Sequence, residues 1–116
     1  MGLFSSKKET SQINWVHLTS SEQLNQLLAS ETPIALFKHS TRCSISHMAK
    51  SKFERNWKNE FKTIPVYLDL IAYRSISNEI AEKLDVIHQS PQLIVVENEK
   101  VTHHASHNAI GTEFLK

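Results

Sequence analysis

Hydrophobic residues in this chain form short runs, and between the runs they recur every three or four positions. The runs lie at residues 13–18, 34–37, 64–70 and 93–96, and their length is typical of β-strands. The run at 34–37 is continuously apolar, which favours a central strand buried on both faces of a parallel sheet. The helical spacing occurs in three segments, marked by Leu24, Leu27 and Leu28, by Ile45, Met48, Ala49, Phe53, Trp57 and Phe61, and by Ile76, Ile80, Ala81 and Leu84.

The residues between and after these segments predict how the elements begin and end. Residues 19–22 supply capping side chains for a first helix through Ala29, and Ser75 or Ser77 is expected to open the third helix. Polar residues 97–100 predict a turn into an antiparallel edge strand at 101–105. Ser106 is a candidate cap for a last helix through Leu115.

The predicted order is therefore β-α-β-α-β-α-β-β-α, which is the arrangement of thioredoxin. Because βαβ crossovers are right-handed, the first half forms a parallel unit with helices on the sheet faces. We expect an α/β fold consisting of a single thioredoxin-like domain, with a central mixed β-sheet flanked by helices. Residues 1–12 are polar and lack periodicity, which predicts a flexible N-terminal arm before a domain at 13–116.

Composition excludes several classes of protein. The chain has 116 residues, enough for one domain that folds without disulfides or structural metal. Its net charge of +1 is far from the basic footprint of a nucleic-acid binder. With only two glycines it cannot contain a dinucleotide fingerprint or a Walker phosphate loop. No apolar run approaches the length of a membrane span, so we expect a soluble cytoplasmic protein with neither nucleic-acid nor membrane partners.

The single cysteine, Cys43, is the main candidate for chemistry. It lies where the second predicted strand gives way to the long second helix, so its sulfur should face the unpaired N–H groups of the first helical turn. The helix dipole, together with Arg42 and Lys38, should favour the nucleophilic thiolate. His39 or His47 could also lie nearby, and their spacing assigns a role to neither. The alternative is a buried cysteine that acts as an inert small hydrophobe.

Ser46 follows Cys43 by three residues, at the position that a second cysteine occupies in a C-x-x-C redox pair. One turn along a helix, its hydroxyl can hydrogen-bond the sulfur and stabilise the thiolate. It cannot attack a mixed disulfide, so an external thiol must complete any redox cycle. The sequence therefore predicts a monothiol catalyst, with helix capping as the alternative role for Ser46 and Ser44.

Ser90 and Pro91 open the fourth predicted strand. A cis bond at Pro91 would place the Ser90 backbone beside the start of the second helix, where it could pair with an incoming thiol compound. The alternative is an ordinary trans proline at a strand end. The histidines His103, His104 and His107 suggest metal binding, but His103 and His104 point to opposite faces of a strand. We therefore predict no metal site.

Residues 37–46, FKHSTRCSIS, resemble the K-H-S-x-x-C-P-I-S motif of the monothiol bacilliredoxins, a family of small thioredoxin-like proteins. Chain length, element order and Ser90-Pro91 before the fourth strand are also similar. The resemblance implies a cytoplasmic thiol–disulfide oxidoreductase that uses bacillithiol as co-substrate and binds no cofactor. Cys43 would attack bacillithiol on client proteins, and Thr41, Ser90 and Pro91 would contact the substrate. Ser44 replaces the motif proline, which affects rate and substrate preference rather than the class of reaction.

Two other functions are compatible with the sequence. The domain could be a non-catalytic binding or scaffold module that uses the surface around Pro91 without turnover. A thiol peroxidase would need an acid–base set for peroxide, which the sequence does not indicate.

Overall fold

The computed structural model describes residues 13–116 as a five-stranded sheet with three α-helices and a 3₁₀ turn. The predicted N-terminal arm at 1–12 lies outside the described residues. The predicted order of elements is confirmed. In chain order they are β1 (Val16–His17), α1 (Ser21–Leu28), β2 (Ile34–His39), α2 (Ser44–Arg55), β3 (Ile64–Asp69), α3 (Arg74–Leu84), β4 (Gln92–Glu97), β5 (Lys100–Ser106) and the 3₁₀ turn (His107–Ala109).

The sheet is mixed, and its strands lie in the order β1-β3-β2-β4-β5. β3 pairs in parallel with both β1 and β2, as the predicted βαβ units require. β4 runs antiparallel to β2, and β5 antiparallel to β4. β2 therefore lies at the centre of the sheet, and all six of its residues are buried.

The two faces of β2 belong to two different cores, because successive strand residues point in opposite directions. Ile34 and Leu36 pack in the core that contains residues of α1 and α3. Ala35 and Phe37 pack in the core that contains Phe53 of α2. The same alternation continues into the polar residues at the end of the strand.

The boundaries of β1 and α2 differ from the sequence-based expectation. β1 is limited to Val16–His17, and α2 ends at Arg55 instead of continuing to Phe61. Trp57 and Phe61 still contact each other, with ring centroids 5.0 Å apart, from the irregular segment beyond the helix. Their spacing therefore reflects packing against the same core and not a continuous helix.

The predicted last helix is only a 3₁₀ turn at His107–Ala109, so the expectation of a helix through Leu115 is wrong. His107 has a left-handed backbone with φ 54°, a conformation that cannot propagate a right-handed helix. Beyond the turn, the chain crosses to the start of β3, where the carbonyl of Lys116 accepts hydrogen bonds from the N–H groups of Lys62 and Thr63. These contacts compete with helix formation in this segment.

Candidate active site

Cys43 is the N-cap residue of α2 and carries a free, half-buried thiol. Its N–H donates to the Ser40 carbonyl at 3.2 Å, and its own carbonyl accepts from the His47 N–H at 3.1 Å. The side chain makes no capping hydrogen bond. The sulfur therefore stands at the N-terminus of α2, the positive end of the helix dipole.

Ser46 is fully buried below this turn and is bonded to the end of β2. Its Oγ lies 2.7 Å from His39 Nδ1 and accepts the Ser40 N–H at 3.0 Å. The hydrogen bond expected from Ser46 to the sulfur of Cys43 is not formed. The Ser46 hydroxyl thus links the His39 ring to the backbone of Ser40.

His39 is buried and held in its neutral form. Burial, with smaller contributions from His47 and Lys50, lowers the pKa of His39 from 6.5 to about 4. The ring of His47 lies edge-on to it at 4.7 Å. His47 itself is exposed and donates from Nε2 to the carbonyl of Thr41 at 3.0 Å. His39 therefore contacts α2 through Ser46, and His47 contacts the loop that leads into Cys43 through Thr41.

Lys38 points to the other face of the sheet. It is fully buried, its Nζ donates to the carbonyl of Ser77 in α3 at 3.1 Å, and it lies 3.2 Å from His88 Nδ1. Burial lowers the pKa of Lys38 from 10.5 to about 8. Burial, together with Lys38 and Arg74, also lowers the pKa of His88. The Lys38 ammonium is therefore held by α3 and the segment before β4, not by the N-terminus of α2.

Thr41 and Arg42 are exposed and form the turn between β2 and α2. Arg42 immediately precedes the cysteine. Of the three residues predicted to stabilise the thiolate, Arg42 is exposed at this turn, whereas Ser46 and Lys38 are buried. Thr41 contributes its carbonyl to His47, which leaves its side chain on the exposed side of the loop.

Ser90 and Pro91 come to the same edge of the sheet as Cys43. The Ser90–Pro91 bond is cis, which is the first of the two alternatives that the sequence left open. Lys38 pairs with Gln92 at the end of the antiparallel ladder between β2 and β4, and His39 and Pro91 are the residues directly beyond that last pair. The Gln92 side chain holds the preceding segment through the carbonyl of Ile87 at 3.0 Å and the N–H of Gln89 at 3.3 Å.

The C-terminal histidines are spread along β5 and the 3₁₀ turn. His103 lies opposite Val95 and His104 opposite Ile94, so their side chains alternate between the two faces of the sheet. Within residues 13–116, no group of three or more His, Cys, Asp or Glu residues is arranged to hold a metal ion. No helix in the same range is both long and apolar enough to cross a membrane.

Two features of this site were missed by the sequence analysis. One is the bond between His39 and Ser46, and the other is the buried group formed by Lys38, Ser77 and His88. The apolar run ends at Phe37 and did not mark Lys38 and His39 as part of the strand, so the alternation that sends them into opposite cores was not visible in the sequence.

The fold is similar to that of several solved structures with a thioredoxin fold. A thioredoxin-fold protein provisionally described as an oxidoreductase has a TM-score of 0.76 and 28% identity, over 84% of this chain and 86% of its own. Thioredoxin from Malassezia sympodialis has a TM-score of 0.65 at 15% identity, over 84% of this chain and 82% of its own. Thioredoxin from Trypanosoma brucei brucei has a TM-score of 0.64 at 17% identity, over 79% and 77%. These neighbours show that the protein has a thioredoxin fold.

The sequence identifies the family more narrowly. Residues 16–115 match the family of the monothiol bacilliredoxin BrxC. This match spans nearly all of the described residues, and the chain belongs to the monothiol bacilliredoxin family.

Proposed function

We propose that this protein removes bacillithiol from mixed disulfides on client proteins, with Cys43 as the nucleophile. The observation that carries the proposal is the placement of Cys43, the only cysteine of a bacilliredoxin-family chain, as a half-buried thiol at the N-terminus of α2. A thiolate at such a position is both stabilised by the helix and accessible to a disulfide.

The reaction is thiol–disulfide exchange and involves no net oxidation. The Cys43 thiolate attacks the bacillithiol sulfur of the mixed disulfide, and a bond forms between these two sulfurs as the bond to the client breaks. The client leaves as a thiolate and takes up a proton from solvent. Because Ser46 cannot act as a resolving thiol, a second low-molecular-weight thiol or a partner reductase attacks the new disulfide and restores Cys43.

The neighbouring residues have two kinds of role in this proposal. Arg42 stabilises the thiolate and attracts the malate carboxylates of bacillithiol. Thr41, Ser90 and Pro91 contact the substrate at the edge of the sheet. Ser46 and Lys38 act as positioning residues, because each side chain is buried and bonded to groups other than the sulfur. In this proposal bacillithiol is a co-substrate and no bound cofactor takes part. The reaction takes place in the reducing cytoplasm.

Intact-mass spectrometry on a bacillithiolated client protein tests this proposal. The parent protein should gain the mass of one bacillithiol while the client loses it, and Cys43→Ser should leave the client modified. Oxidised glutathione serves as the comparison substrate and should react more slowly than oxidised bacillithiol. Continued removal by Cys43→Ser would exclude the mechanism. Slow exchange of Cys43 with both disulfides would instead support a non-catalytic binding or scaffold module.

A further inference from the structure

A groove of about 360 Å³ lies between α2 and the 3₁₀ turn that follows β5. Its apolar lining includes Ile45 and Met48 from α2 and Ile110 beyond the turn. Ile45 is 51% exposed and Met48 is 72% exposed. Clustered exposed apolar side chains beside a candidate active site are typical of an interaction surface, and flexible methionines are frequent where such a surface accepts varied partners.

The polar lining of the groove carries two positive charges. Lys52 and Arg55 line it beside His107 and Asn108, and none of its lining residues is acidic. Among the described residues, Lys52 and Arg55 form no ion pair, whereas Lys50 on another face of the same helix is paired with Glu54 at 2.8 Å. Two positive charges of α2 are thus left without a partner beside exposed apolar side chains.

We propose that this groove binds an extended, acidic segment of the client protein, with an apolar side chain against Met48 and carboxylates at Lys52 and Arg55. This inference rests on the proposed function, in which Cys43 at the start of the same helix exchanges with that client. It concerns selection of the client and is separate from recognition of bacillithiol.

The helix fixes the spacing that such a segment needs. At about 1.5 Å per residue, Met48 lies roughly 7 Å along the axis from Cys43, Lys52 roughly 14 Å and Arg55 roughly 18 Å. An extended chain advances about 3.3 Å per residue. The preferred client therefore has an apolar residue about two positions from its cysteine and acidic residues about four to six positions from it.

Charge distinguishes this occupant from the chain's own N-terminal residues. Residues 1–12 contain Lys7 and Lys8 and a single acidic residue, Glu9, so their charge does not complement the groove. A segment with several carboxylates does, and opposite charge also increases its rate of association.

Fluorescence anisotropy with labelled peptides tests the proposal. The full chain with Cys43→Ser, which removes covalent exchange, is titrated with a peptide that has serine at the cysteine position, leucine two residues later, and glutamates four and six residues later. We expect Lys52→Glu combined with Arg55→Glu to weaken binding about tenfold, with a smaller effect at high salt. Met48→Ser should weaken it severalfold. Lys58→Glu combined with Lys62→Glu changes the net charge equally and should leave binding unchanged.

A second measurement separates this inference from the proposed function. The rate at which Cys43 reacts with the neutral reagent 4,4′-dithiodipyridine should be the same in the parent and in the Lys52→Glu, Arg55→Glu variant. No reaction in either protein would count against the proposed function alone. Equal binding of a peptide with lysines in place of glutamates, or undiminished binding by the groove variant, would overturn the client groove. So would a stable dimer in light scattering that Met48→Ser dissociates, because a second copy would then occupy the groove.

Discussion

The buried hydroxyl of Ser46 lies 2.7 Å from Nδ1 of His39, so the serine one turn after Cys43 is bonded to the end of β2 and not to the sulfur. The same oxygen accepts the N–H of Ser40. One side chain of α2 therefore binds the last residue of β2, His39, and the first residue of the loop, Ser40. This fixes the start of α2, and with it Cys43, relative to the sheet.

Replacing Ser46 with alanine should destabilise the fold. The change leaves the Ser40 N–H and His39 Nδ1 without partners in a buried region, and an unsatisfied buried polar group costs about 1–3 kcal/mol. Urea unfolding followed by circular dichroism measures this loss. Ser44→Ala is the matched control, because Ser44 is exposed and lies two residues before Ser46 in the same helix. This change should alter the free energy of unfolding by less than about 0.5 kcal/mol. Equal effects of the two changes would contradict the role given to Ser46.

Acid should destabilise the protein through His39. Its pKa of about 4 lies below the ordinary 6.5, so between these pH values the unfolded chain binds a proton that the folded chain does not. The free energy of unfolding should therefore fall as pH is lowered from 6.5 to 4, by roughly 2–3 kcal/mol from this group. His88, whose pKa is also lowered by burial, acts in the same direction.

Urea unfolding at a series of pH values isolates the contribution of His39. His39→Asn keeps an acceptor for the Ser46 hydroxyl and removes the titrating ring, so the acid slope should become shallower. His104→Asn removes an exposed imidazole from β5 and controls for the loss of a histidine. An acid slope in His39→Asn as steep as in His104→Asn would show that His39 is not the group responsible.

Lys38 should have its effect at alkaline pH. Its pKa of about 8 lies below the ordinary 10.5, so the unfolded chain binds the proton more tightly than the folded chain between these values. The stability of the parent relative to Lys38→Met should therefore rise by roughly 2–3 kcal/mol as pH increases from 8 to 10.5. Tyr67, whose pKa burial raises, works in the opposite direction above pH 10 but is present in both proteins and cancels. A constant difference over this range would refute the prediction.

Arg42 and Lys38 should differ in their effects on exchange. Arg42 is exposed next to Cys43, whereas the Lys38 ammonium is bonded to α3. We expect Arg42→Met to slow the reaction of Cys43 with an anionic disulfide severalfold at low salt and less at high salt. Lys38→Met should have a smaller effect on this rate. Stopped-flow measurement with anionic and neutral disulfides checks both, and a salt-independent loss in Arg42→Met would point to a structural cause.

Apolar patterning predicted much of the fold. The continuous run at 34–37 correctly indicated a central strand, and Ser20 caps α1 by accepting the Gln23 N–H. Patterning failed where side chains follow a helical spacing without a helical backbone, as at Trp57 and Phe61. It failed again near His107, because hydrogen bonds between Lys116 and residues distant in sequence determine the path of that segment.

The position of Cys43 at a strand-to-helix junction was predictable, but the orientation of its neighbours was not. The sequence indicated a strand ending at Phe37, which left Lys38 and His39 in a loop. The strand extends to His39, so alternation sends the lysine towards α3 and the histidine towards α2. Ser46 bonds to His39 and Ser40, only seven and six residues earlier, because the chain turns sharply between β2 and α2, and residue spacing alone does not reveal that contact.

The adjacent buried residues Lys38 and His39 have a consequence for strand register. Slipping β2 by one residue in one direction would place the Lys38 ammonium in the site fitted to the neutral imidazole of His39. Slipping it in the other direction would place the imidazole in the site lined by the Ser77 carbonyl and His88. Neither placement satisfies the buried polar groups, so Lys38 and His39 together fix the register of β2 in the sheet. Buried residues on both sides of the exposed turn thus set the position of Cys43 relative to the sheet, so substitutions at Thr41 and Arg42 should alter contacts with the substrate without displacing the thiol.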